Sequence, residues 1–121
     1  MTNFSIDHEA ASGILVCRVT GFLSDAEGAQ LARAFLDEIG RARRGAPILR
    51  ILFDNREGNV FSSASLGALV TTLKGEQRPG DRAAVLVANS INKSQARRNM
   101  SDGNQVFLSE QAARTWLTIE A

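Results

Sequence analysis

The sequence predicts an α/β domain: a four- to five-stranded, mostly parallel sheet with an antiparallel edge strand and about four helices. Three observations carry this. Short runs of β-branched and apolar residues alternate with segments of helical periodicity. Gly, Pro and small polar residues cluster at the boundaries. The order of elements, β-β-α-β-α-β-α-β-α, is that of parallel strands joined by right-handed crossovers after an opening hairpin.

The elements follow in order. Phe4 to Asp7 reads as a short first strand, and "HEAASG" as a turn. "ILVCRVTG", Ile14 to Gly21, is bounded by glycines and reads as the second strand, hairpin-paired with the first. In "SDAEGAQLARAFLDEIGRARR", Ser24 and Glu27 have the spacing of a capping box, each satisfying an amide at the helix start. Leu31, Ala32, Phe35, Leu36 and Ile39 make one apolar stripe. Arg41, Arg43 and Arg44 suit the negative end of the helix dipole, and Gly45 and Pro47 stop the helix. "ILRILFD", Ile48 to Asp54, is the near-continuous apolar run of a strand buried on both faces.

"SASLGALVTTLKGEQ" is a helix with Leu66, Leu69, Val70 and Leu73 inward, and "RPGD" turns the chain. "RAAVLVAN", Arg82 to Asn89, is a buried strand, and "SINKSQARRNM" a polar helix ended by "SDGN". "QVFL" is a short strand, and "SEQAARTWLTIE" a final helix with Ala113, Trp116 and Leu117 inward.

Strand parity adds a surface. Arg18 shares a face with Ile14 and Val16, and Arg50 with Ile48 and Leu52. A half-apolar sheet face carrying Arg18 and Arg50 reads in two ways. It is a homodimer surface, or the arginine stems merely snorkel at the sheet edge.

Composition narrows the function. A chain of 121 residues is one domain, 1–121, large enough to bury roughly two thirds of its unfolded surface. A net charge of +1 supplies no field for nucleic acid or an acidic membrane. Cys17 is the only cysteine and His8 the only histidine, so neither an internal disulfide nor a clustered zinc site is expected. No signal peptide and no membrane-length apolar run is recognisable, which makes the cytoplasm the expected location.

Catalytic signatures are missing. There is no GxGxxG after a strand, no P-loop and no GxSxG elbow. Asp25, Asp54 and Glu57 are the carboxylates that an acid–base pair would draw on, and they serve equally as caps and solvated loop residues. Lys93, Arg97 and Arg98 form either a solvated helix face or a patch for a phosphate or acidic partner. They lack the interleaved aromatics of a nucleic-acid platform. Cys17 reads as a small buried hydrophobe, and Trp116 as a core anchor. The expectation is a non-enzymatic domain with no cofactor and no metal.

Two local patterns then meet this element order. "LFDNREGNVFSSASLGALV" is an apolar strand ending in Asp54, a short loop, a serine cluster, Leu-Gly and an apolar helix. It resembles the STAS domain of anti-sigma-factor antagonists. "NQVFLSEQAARTWL" is similar to the end of the SpoIIAA-like branch of small bacterial proteins. The resemblance spans Phe4 to Leu117. It implies a sequentially wound β-α fold with most helices on one sheet face, and a regulatory role in binding a protein partner or ligand. The fold is shared with CRAL/TRIO lipid-binding domains, so a small-molecule or lipid carrier is the alternative. The antagonists carry a phosphorylatable serine in an Asp-Ser-(Ser/Thr)-Gly run. Laid over it, Ser62 takes the aspartate position, Ser63 the phosphoserine, Ala64 the second hydroxyl and Ser65 the glycine.

The serines keep two readings. As an N-cap, Ser62 or Ser63 contributes about 1 kcal/mol and does nothing more. As a phosphosite, either would place its phosphate against free amides and a favourable dipole. A third reading uses the carboxyl edge of the parallel strands, where α/β ligands gather. There the sequence places Ser24, Asp25, Asp54, Asn55, Arg56, Asn89 and Ser90 as a candidate ligand or partner surface, with Arg56 as the cation for an anionic group.

Overall fold

The computed structural model describes residues 4–21, 24–45, 48–57, 75, 77–97 and 103–119. Five strands form one sheet in the order β1-β2-β3-β4-β5: Phe4–Glu9, Ile14–Thr20, Arg50–Glu57, Arg82–Leu86 and Asn104–Phe107. β1 and β2 are antiparallel, and every later neighbour is parallel. The winding is therefore sequential, as expected. Three helices are described, α1 (Asp25–Gly45), α2 (Ser90–Arg97) and α3 (Glu110–Thr118). Of the helix expected over 63–77 only Gly75 and Gln77 are among the described residues, and Ser62 and Ser63 lie outside them.

The boundaries move by a few residues. β1 runs on to Glu9. β3 starts at Arg50, leaving Ile48 44% exposed, and continues to Glu57. β4 stops at Leu86, short of the expected Asn89. Ser24 and Glu27 close the capping box with reciprocal bonds of 3.2 Å. The buried stripe of α1 is Gly28, Leu31, Ala32, Phe35, Ile39 and Ala42. Leu36 leaves it, because a stripe centred on Phe35 turns the next residue outward. The RPGD turn needs its glycine. Gly80 has φ +91°, where a Cβ is strained, and the Asp81 amide donates to the Arg78 carbonyl at 3.0 Å.

Parity divides the core in two. Leu15, Cys17, Val19, Leu49, Ile51 and Phe53 face α1. Ile14, Val16, Leu52, Ala84 and Leu86 face Ala113 and Leu117 of α3. Of the described helices, α1 and α3 lie on opposite faces of the sheet. α1 connects parallel strands, so the right-handed crossover rule sets its side. No strand follows α3 in the sheet, and α3 closes the opposite face.

A buried ion pair fastens the amino edge. Arg43 Nη2 lies 2.6 Å from Asp81 Oδ2, with both side chains more than nine-tenths buried. The Leu49 and Arg78 amides donate to the same carboxylate at 2.9 and 2.8 Å. No described helix is long and apolar enough to cross a membrane.

Candidate functional site

The carboxyl edge begins with an irregularity. Arg18 pairs with Asp54, but Thr20 pairs with Glu57, so β3 carries one residue more than β2 across this step. The extra residue lets Arg56 fold back on Asp54. Asp54 Oδ1 accepts from the Arg56 amide at 3.1 Å and from Nε at 3.0 Å, and Oδ2 accepts from Nη2 at 2.8 Å. Arg18 Nη1 donates to the same Oδ2 from β2.

The first turn of α3 completes the cluster. Ser109 caps this helix, its hydroxyl accepting from the Ala112 amide. Glu110 accepts from Arg18 at 3.3 Å through both oxygens, from Arg56 at 2.8 Å and from Arg114 Nε at 2.8 Å. Arg114 then reaches Glu9 on β1 with two bonds of 2.7 and 2.9 Å. Ser12 steadies that carboxylate from the hairpin turn at 2.8 Å. Three guanidinium groups and three carboxylates alternate across β1, β2, β3 and α3.

The pairing holds all three acids ionised. Burial alone would raise the Asp54 carboxyl, but hydrogen bonds from the Arg56 side chain and amide, with the Arg56 and Arg18 charges, carry it below its ordinary value. Hydrogen bonds from Arg18 and then Arg114 lower Glu110. Arg114, then Ser12, brings Glu9 down to about 2. Cys17 goes the other way: burial pushes its thiol up to about 12, with Asp54 adding to the effect. It is wholly enclosed and is no nucleophile in the folded chain.

The far end of α3 is fastened differently. Arg82 Nη1 donates to the carbonyls of Trp116 and Ile119 at 2.8 and 2.7 Å, so a cation meets the helix C-terminus. Its guanidinium carbon lies 5.5 Å from the Trp116 ring centroid, and that ring is 5.7 Å from Phe107.

Asp54 and Arg56 are joined directly and share a cleft of about 380 Å³ with Arg18, Val19 and Glu57. Asn55 lies between them on β3. Ser24 and Asp25 begin α1 just after β2, and Asn89 and Ser90 precede and begin α2 after β4, so all four share the carboxyl edge. Asp25, Asn89 and Ser90 are exposed. Arg18 and Arg50 do share a face, paired respectively with Asp54 and Ile14 in the sheet. That face also receives α3, and Arg18 is spent on Asp54 and Glu110. Glu9, Glu110 and Arg114 were not anticipated. The i,i+4 spacing of Glu110 and Arg114 was the readable signal, whereas the reach to Glu9 across 105 residues had none.

No family model matches the chain, and no curated protein does. Solved structures do. One is an uncharacterized protein of the DUF3478 family with a SpoIIAA-like fold from Shewanella loihica, at TM-score 0.71 and 16% identity, covering 97% of this chain and 95% of that one. Another is an anti-sigma-factor antagonist (STAS) domain protein from Planctomyces limnophilus, at TM-score 0.71 and 18% identity, covering 97% and 98%. A third is the anti-sigma factor antagonist SpoIIAA in its unphosphorylated form, at TM-score 0.65 and 13% identity, covering 90% and 91%. The chain has the SpoIIAA-like, STAS-type fold expected from its sequence.

Proposed function

We propose that the chain is a regulatory domain that binds a protein partner at the carboxyl edge of its parallel strands and catalyses no reaction. The observation that carries this is the saturation of two edge carboxylates, Asp54 and Glu110. Asp54 and Glu110 are each held by two or more arginine contacts. Such paired acids are poor proton carriers at neutral pH. What the edge offers outward is recognition chemistry: the half-exposed Arg18 and Arg56 guanidiniums beside Glu57, with Asn89 and Ser90. The fold is one that solved antagonist structures share. Fold likeness by itself does not assign a role.

Ser62 and Ser63 are the candidate marks that would switch such a partner, with Ser63 in the phosphoserine position by resemblance. A phosphate on either serine adds close to two negative charges and three acceptor oxygens. The carrier reading has weaker support among the described residues. The apolar opening between α1 and the sheet, lined by Ile39, Leu49 and Ile51 with Gln77 and Asn104, encloses about 20 Å³, room for one water and not for an acyl chain.

The test is affinity capture from the native host followed by reconstitution with the purified partner. Wild type should bind. Arg56→Glu and the double variant Ser62→Asp/Ser63→Asp should lose binding while keeping the native circular dichroism. Failure of every form to bind a protein, or a lipid adduct in native mass spectrometry, would overturn the reading.

A further inference from the structure

We infer that the outer edge of β1 pairs antiparallel with β1 of a second copy, joining two sheets into one through a two-fold axis at Ile6. This does not rest on the partner-binding reading. β1 comes first in the sheet, and among the described residues no strand lies beyond it. Its six residues pair with β2 without a register shift, so the outer edge is regular. Of the devices that block edge pairing, β1 has no Pro, no Lys and no bulge, and its charges are the carboxylates Asp7 and Glu9 on one face.

The residue pattern selects the partner and the register. Residues directly opposite in an antiparallel pair share a sheet face, so a symmetric pairing must centre on a residue. Phe4, Ile6 and His8 lie on the α1 face, opposite Val19, Cys17 and Leu15 of β2. Ser5, Asp7 and Glu9 lie on the other. An axis at Asp7 sets two carboxylates against each other, which is unfavourable. An axis at Ile6 sets Ile6 against itself, Phe4 against His8 and Ser5 against Asp7. That arrangement has a central Ile6 pair flanked by Phe4–His8 pairs on one face, hydroxyl–carboxylate pairs on the other, and no like charges opposed. Phe4 and Ile6 already pack on the core yet are only partly buried, and a second copy would cover what remains.

Glu9 faces no described residue in this register and keeps its pair with Arg114. A second copy on the Arg18 face would instead meet α3, and displacing that helix uncovers Ile14, Val16 and Leu52. The β1 edge needs no such rearrangement. A single edge of this length falls below the area of a standard stable interface, so the dimer dissociates on dilution.

Sedimentation velocity over a concentration series reads this directly. The wild-type mass should rise from 13.0 kDa toward twice that value. Ser5→Asp creates two like-charge pairs and should weaken the dimer roughly two- to thirtyfold, while Ser5→Lys should tighten it. Ser5 is exposed but lies opposite Arg18 of β2, so urea unfolding of each variant is measured alongside to separate an effect on the protomer from one on the dimer. The register is tested by oxidation. Opposed Cα atoms in antiparallel pairs lie within disulfide range, so Ile6→Cys should give a covalent dimer and Asp7→Cys should not. The native thiol at Cys17 is wholly buried and silent. A wild-type monomer at every concentration overturns the proposal. So does a dimer that ignores both Ser5 variants and fails to cross-link through Ile6→Cys; loss of that dimer in Arg50→Glu would assign it to the sheet face.

Discussion

Glu9 and Arg114 close a two-bond ion pair between the first strand and the last helix, at 2.7 and 2.9 Å across 105 positions of sequence. The pair matters because α3 has little apolar grip of its own. Only Ala113 and Leu117 of its nine residues are buried. Charge at one end, and Arg82 at the other, orient a helix whose core contact is small. The same network ends on Arg18 and Arg56 at the carboxyl edge, so α3 and the proposed partner surface share side chains.

A double-mutant cycle on Glu9→Gln and Arg114→Ala should give a coupling of about 0.5–1 kcal/mol in low salt, since both side chains are partly exposed. The coupling should shrink in concentrated salt as screening shortens the reach of the charges. Urea unfolding of the four proteins measures it. A coupling indistinguishable from zero would show that the Glu9 pair adds nothing to the hold of Glu110, Ala113, Leu117 and Arg82 on α3.

Acid should destabilise the fold in a defined window. The Glu9 carboxyl falls from 4.5 to about 2 on folding, and Asp54 and Glu110 also lie below their ordinary values. Below the unfolded value the unfolded chain binds protons first, so stability is full above about pH 4.5 and is lost as pH falls toward 2. Melting temperature against pH should show that slope. Glu9→Gln should be shallower over the same range, and an unchanged slope would remove Glu9 from the linkage.

Packing on the two faces makes a contrast of two leucines. Leu117 is 0% exposed under α3, and Leu36 is 40% exposed on α1. Leu117→Ala should cost about 2–5 kcal/mol through the lost apolar contact and the cavity. Leu36→Ala should stay within about 0.5 kcal/mol. Thermal unfolding ranks them, and Trp116 emission should shift to the red in the first variant only.

Local chemistry was legible from the chain, and distant chemistry was not. The capping box at Ser24 and Glu27, the RPGD turn, the parity of Leu49, Ile51 and Phe53 and the antiparallel first strand all follow from neighbours within a few positions. Asp54 and Arg56 were placed on the right edge, but their contact needed the extra β3 residue, which periodicity does not reveal. That α3 covers the face carrying Arg18 and Arg50 was not readable in the sequence, because the crossover rule governs helices between strands and does not bind a helix with no strand after it. Leu36 was assigned to the core stripe because helical spacing fixes a face only to within one residue on its margin.

The buried pair of Arg43 and Asp81 was also invisible in sequence, where Arg43 read as a helix-end cation and Asp81 as a turn residue. It yields the largest expected effect. Burial would raise the Asp81 carboxyl, yet hydrogen bonds from Arg43 and from the Leu49 and Arg78 amides bring it below its ordinary value. Asp81→Ala removes the carboxylate from a buried guanidinium and the acceptor from two amides at once, for about 3–5 kcal/mol. Arg43→Met keeps both amide bonds to Asp81 and replaces the buried stem with apolar volume, so it should cost clearly less. Urea midpoints of the two variants give the order. If Arg43→Met proves the more damaging, the guanidinium and not the two amides holds the amino edge of β3 and β4 together.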